Sequence, residues 1–137
     1  FNAGFRFKPK LEKITVAEGN EVFSSQGNCL LNLTKRELWA GCPTTVIPAG
    51  GTVMRIYAEA FAESELESIV IPEGVEIIMS EAFKGCKKLK HLTLPQSLYS
   101  PDGCFDDSVN LETVCAPERM RKYFTKLNPK IKFTATD

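Results

Sequence analysis

Apolar and polar residues along the chain fall into a sentence that is written nearly twice. Leu66-Glu67-Ser68-Ile69-Val70-Ile71-Pro72 is answered by Leu89-Lys90-His91-Leu92-Thr93-Leu94-Pro95. In each copy the first, fourth and sixth places are aliphatic, which predicts a short strand with one buried face. A proline closes each copy, and its missing N–H stops a ladder from running on. Such prolines fall at 48, 72, 95 and 117, with spacings of 24, 23 and 22 residues. The opening leucines Leu66, Leu89 and Leu111 are 23 and 22 apart, and Phe61, Phe83 and Phe105 are each 22 apart. Three separate landmarks therefore share one period.

A period of roughly 20–29 residues with Leu or Ile at these places marks a leucine-rich-repeat solenoid. Each unit supplies an inward strand, a proline turn, a second short extended segment and an Ala-Phe corner. Val53-Met54-Arg55-Ile56 and Val75-Glu76-Ile77-Ile78 are the second segments; Ala60-Phe61 and Ala82-Phe83 are the corners. Each corner phenylalanine is expected to stack on that of the next coil. The predicted fold is α/β and β-rich: a right-handed solenoid with a parallel strand ladder, an inserted β-hairpin and a C-terminal helical cap. One domain spans 1–137, divided into a partial first repeat (1–16), a hairpin insertion (17–45), regular repeats (46–117) and the cap (118–137).

In the first repeat Phe5 precedes Leu11 by six residues, as Phe83 precedes Leu89. Residues 11–16 then read as a strand with Leu11, Ile14 and Val16 inward. In the insertion, 29–33 and 38–42 form the arms of the hairpin. If Leu33 pairs with Leu38, Cys29 lies opposite Cys42, where two readings stand: a disulfide, or two small buried thiols. Asn32-Leu33-Thr34 is formally a glycosylation sequon, a triplet that often arises by chance. The unit at Ser100–Phe105 lacks the aliphatic pattern and predicts a looser turn. A helix is expected over 117–126 and a last strand at 130–133, closing the final apolar layer.

The pattern Val-x-x-Ile-x-x-x-Ala-Phe-x-x-Cys-x-x-Leu-x-x-Leu-x-Leu-Pro, from Val75 to Pro95, resembles the BspA-like leucine-rich repeat. The path from Ala17-Glu18-Gly19-Asn20 through Leu38-Trp39-Ala40-Gly41-Cys42 to Val46-Ile47-Pro48 also resembles a segment common in that family. The resemblance implies a bacterial repeat module, extracellular or at the cell surface, engaged in adhesion or binding of a host or matrix protein. It also gives Cys86 as a small buried corner residue.

Charge narrows the function classes. Seventeen basic and seventeen acidic residues leave no net charge to steer the chain toward nucleic acid or anionic membrane. No apolar run is long enough to enter a bilayer as a spanning helix. The five cysteines are scattered and form no CxxC pair that would propose zinc. The chain opens inside a half-repeat, which reads as a trimmed start, so a missing signal peptide carries no information about compartment.

In a parallel ladder, equivalent places of successive coils stand about 5 Å apart, so outward residues form columns. The expected columns are Glu12, Glu67, Lys90, Glu112; then Lys13, Ser68, His91, Thr113; then Thr15, Val70, Thr93, Cys115. The candidate binding face is accordingly Glu67, Ser68, Val70, Lys90, His91, Thr93, Glu112, Thr113 and Cys115, with the Trp39 insertion as a second surface. His91 lies diagonal to Cys115, the minimum for thiol catalysis, but no residue orients the imidazole and no oxyanion donor is evident. Asp102, Asp106 and Asp107 match no calcium-loop spacing and suit turns. Glu59, Glu63, Glu65 and Glu67 read as a solvated acidic edge. These residues propose no catalytic centre, cofactor or metal. The reading is a non-catalytic protein-interaction or adhesion module; the alternative is a structural spacer with no ligand, and a thiol enzyme comes third.

Overall fold

The computed structural model describes residues 12–137, so the expectations for Phe5 and Leu11 lie outside the described residues. Its elements are β1 (Phe23–Ser24), β2 (Leu30–Asn32), β3 (Glu37–Ala40), β4 (Arg55–Ile56), β5 (Ser68–Val70), β6 (Ile77–Ile78), β7 (His91–Thr93), β8 (Thr113–Ala116), a single 3-10 turn (Glu118–Met120), α1 (Arg121–Leu127) and β9 (Lys132–Ala135). The proline-closed units supply β5, β7 and β8, and β9 joins them in a four-stranded parallel sheet of order β5-β7-β8-β9. The second segments supply β4 and β6 to another sheet, of order β1-β2-β3-β4-β6. There β3, β4 and β6 run parallel, while β1, β2 and β3 pair antiparallel.

Between the sheets lies the main core, built from the aliphatic places of each unit, with a smaller cluster of Ile14, Leu30 and Ala40 at the hairpin end. Leu66, Ile69 and Ile71 are buried, as are Leu89, Leu92 and Leu94, and then Leu111, Val114 and Ala116. The corner phenylalanines form the expected row. Phe61 and Phe83 stack at 5.0 Å with planes 4° apart, and Phe83 meets Phe105 at 5.0 Å. Phe124 of α1 extends the row at 6.0 Å from Phe105. Helix α1 thus covers the last ring, which is why the segment ends as a helix and not as another coil. The corner backbones are laddered as well, with Phe61 N–H donating to Ala82 O at 2.8 Å.

Three local expectations are corrected. Residues 12–16 are not a strand: Ile14 N–H donates to the Asn28 side chain at 2.9 Å and Val16 N–H to Ser25 Oγ at 3.2 Å. Side-chain acceptors from the following segment take donors that a ladder would have used. The hairpin register is also shifted. Leu31 faces Leu38 and Asn32 faces Glu37, with an irregularity between Leu30 and Leu31, so Leu33 belongs to the turn. Asn32 Oδ1 accepts from Lys35 N–H at 3.0 Å and Arg36 adopts φ 56°, which together fix a four-residue connection. This register keeps both Leu31 and Leu38 buried. The last strand begins two residues later than expected, because Asn128 O accepts from Ile131 N–H at 3.1 Å and prolongs the turn. Ser100–Phe105 is strand-free, as its sequence predicts.

Polar side chains stitch coil to coil. Glu73 accepts from Gln96 N–H at 2.7 Å and from Ser97 N–H at 3.2 Å. Ser97 Oγ accepts from Gly74 N–H at 3.0 Å and donates to Val75 O at 2.8 Å. The proline turns of adjacent coils are thereby held in phase, which keeps the outer face of the β5-β7-β8-β9 sheet regular.

Candidate interaction surface

The ladder register determines which outward side chains become neighbours. Ser68, His91, Thr113 and Lys132 are paired in one row across the sheet, and Val70, Thr93, Cys115 and Thr134 in the next. Two of the three expected columns are therefore present from the second repeat onward. The third is continued by the backbone, with Lys90 N–H donating to Glu67 O at 2.8 Å and Glu112 N–H to Lys90 O at 2.8 Å. Glu12, Lys13 and Thr15 do not join them, because the sheet starts at β5. Lys132 and Thr134 extend the two rows by one coil; the later start of β9 is what brings them in.

This face is open and mixed in character. Val70 is 61% exposed, an aliphatic side chain open to solvent on β5. Glu67, Ser68, Lys90, His91 and Glu112 are exposed, while Thr93, Thr113 and Cys115 are half-buried. His91 Nδ1 lies 2.7 Å from Thr113 Oγ1, a lateral hydrogen bond between adjacent coils. That bond commits one ring nitrogen sideways and away from the diagonal to Cys115. An open face of this kind offers rows of exposed side chains to another surface.

The remaining candidates have structural occupations. Cys29 and Cys42 are buried free thiols, the second of the two readings; the shifted register removes the opposed pairing on which the disulfide reading rested. Cys42 Sγ donates to Asn28 O at 3.2 Å and Cys29 Sγ to Gln26 O at 3.3 Å. Burial, with Cys42 nearby, pushes the Cys29 thiol up to about 12. Cys86 is buried, as the resemblance implied, and its thiol is likewise raised to about 12. Asn32 is 5% exposed and occupied as a turn cap, so its amide is not presented for glycosylation in the folded chain. Asp106 accepts from the Tyr123 hydroxyl at 2.8 Å, and Asp107 from Gly85 N–H at 3.2 Å. Burial and that Asp106 bond hold the Tyr123 phenol well above its ordinary value. Among the described residues no group of three or more His, Cys, Asp or Glu is placed to hold a metal ion. None of their helices is long and apolar enough to cross a membrane.

A second surface surrounds Trp39. Its ring lies 5.5 Å from Tyr57 and 5.4 Å from Phe23, and Nε1 donates to Glu37 at 2.7 Å. Lys35 covers the indole at 5.9 Å. Trp39 is half-buried, part of a packed aromatic end.

Residues 36–127 match the BspA type leucine rich repeat region, with six copies. Among solved structures, a leucine-rich repeat protein from Eubacterium ventriosum ATCC 27560 is similar, at 20% identity and a TM-score of 0.49. That likeness covers 98% of this chain and 45% of the other, so this chain spans less than half of that protein's length. Curated proteins give no match.

Proposed function

The chain belongs to the BspA type leucine-rich repeat family, and from that premise we propose that it is a non-catalytic protein-interaction module of a bacterial surface or secreted protein. Its partner is a host or matrix protein, met by the outer face of the β5-β7-β8-β9 sheet. The proposal treats 1–137 as one domain, takes the coils to wind right-handedly, and takes 17–45 as a segment inserted between coils. The observation that carries it is the open ladder face, on which exposed Val70 and exposed His91, bonded laterally to Thr113, stand in rows. Repeat solenoids use such extended faces for binding because outward residues carry little of the folding energy and are free to vary.

The test is surface plasmon resonance against a panel of purified extracellular-matrix proteins. Wild-type chain is compared with Val70→Arg and His91→Ala, and with Ile77→Arg on the other sheet. Binding that falls tenfold or more in the first two variants and holds in the third supports the proposal. Equal binding by all variants would move the contact off this face and overturn the proposal; no binding by the wild type favours the structural-spacer reading.

A further inference from the structure

Five lysines gather at the far end of the interaction face. Lys87, Lys88 and Lys90 approach from the corner before β7, and Lys130 and Lys132 from the start of β9; together they ring a cleft of about 600 Å3. Among the described residues Glu112 is the one carboxylate on its lining, so five lysines against one glutamate give a formal +4. The chain as a whole carries no net charge. The balancing acids Glu63, Glu65 and Glu67 stand one coil earlier, and the Lys88–Glu65 pair at 3.3 Å marks the border between the two zones. Among the described residues the other four lysines have no ion-pair partner.

The cleft's frame is fixed. Asn110 Nδ2 donates to Lys87 O at 2.7 Å. Lys90 O accepts from Glu112 and Thr113 N–H at 2.8 and 3.0 Å, and Lys132 N–H donates to Glu112 O at 2.9 Å. Lys130 N–H donates to Asn128 Oδ1 at 3.0 Å. Four of the five lysines therefore rise from backbone that neighbouring residues hold in place. Binding an anion then needs mainly the side chains to order.

The lining also selects the kind of anion. Val109 is 59% exposed above buried Leu111, and lysine stems add further aliphatic surface. Among the described residues no aromatic ring lines the cleft to stack a sugar, and no arginine lines it to grip phosphate or sulfate with a planar fork. Spread ammonium groups around an aliphatic strip suit carboxylates separated along a chain, with an aliphatic side chain between them. We propose that this cleft receives an acidic peptide segment of the partner protein. This rests on the interaction-module reading above and adds to it the partner's chemistry.

The experiment titrates the full chain with a fluorescent peptide of glutamates and leucines, and with its glutamine counterpart. The expected result is binding of the glutamate peptide alone, weakening steeply between about 50 and about 300 mM salt as the charges are screened. The variant K87A/K130A/K132A should lose at least tenfold, while K35A/K122A/K126A, which removes equal charge elsewhere, should bind like wild type. No binding at millimolar peptide, equal loss in both variants, or equal affinity for the glutamine peptide would overturn the proposal. So would cleft-dependent binding of a sulfated oligosaccharide without binding of the peptide, or a dimer of the chain that K87A/K130A/K132A abolishes in place of peptide binding. If the peptide fails while Val70→Arg still abolishes capture by a matrix protein, the interaction surface stands and only the cleft assignment falls.

Discussion

The row of rings should behave as a chain of nearest neighbours, and Phe83 is where to test it. Phe83 is fully buried with a ring at 5.0 Å on either side. Cutting a buried phenylalanine to alanine costs about 3–5 kcal/mol, a large share of the roughly 5–15 kcal/mol that holds a domain folded. Phe83→Leu keeps most of the volume and should cost about 1–2 kcal/mol. The informative quantity is the coupling. Phe61→Leu with Phe83→Leu should deviate from additivity by about 0.5–1.5 kcal/mol, since each ring supplies a face of the other's contact. Phe61→Leu with Phe124→Leu, separated by two intervening rings, should be additive within about 0.5 kcal/mol. Urea unfolding followed by far-UV circular dichroism and by fluorescence of the single tryptophan reads both. Trp39 sits at the hairpin end beside Tyr57, so coincident transitions establish that the whole chain unfolds together. Additivity of the adjacent pair, or equal coupling of the distant one, would refute nearest-neighbour stacking as the organising contact.

Gly41 lies against Phe61, and a Cβ there would stand 2.1 Å from the ring; Gly41→Ala should cost about 1–3 kcal/mol through overpacking, read as a lower urea midpoint. Arg119 donates to the carbonyls of Gln96, Leu98 and Tyr99, tying the cap to the strand-free coil. Arg119→Ala should therefore lose about 1–2 kcal/mol, with earlier hydrogen exchange in 96–105 than in 61–71. The cysteines give a pH prediction. Burial raises Cys29 and Cys86 from 9.0 to about 12, and Cys104 from 9.0 to about 11. Their folded values exceed their unfolded ones, so their contribution is fully present below pH 9 and is lost as pH rises toward 11–12. Stability measured at pH 8 and pH 10.5 should fall, and the triple Cys29→Ala, Cys86→Ala, Cys104→Ala variant should show a smaller fall; an equal fall would refute it.

What the sequence made legible was whatever the period carries. Leu66, Leu89 and Leu111, or Phe61, Phe83 and Phe105, are buried for the same reason in each coil, so spacing alone places them and makes His91 a neighbour of Thr113. The hairpin register was not legible, because it depends on one amide capping one turn at Asn32 and on a left-handed Arg36, which apolar alternation does not record. The lysine cleft was hidden for a related reason. Lys87, Lys88 and Lys90 belong to a regular unit, but Lys130 and Lys132 belong to the cap, where the period has ended and the Asn128–Ile131 turn decides how far β9 slides along β8. A shift of one residue at that junction would turn Lys132 inward and bring Ile131 or Phe133 to the face, removing a cation from the cleft. The chemistry proposed for this end of the molecule thus rests on the least repetitive stretch of the chain, where a polar turn replaces the period in setting the register.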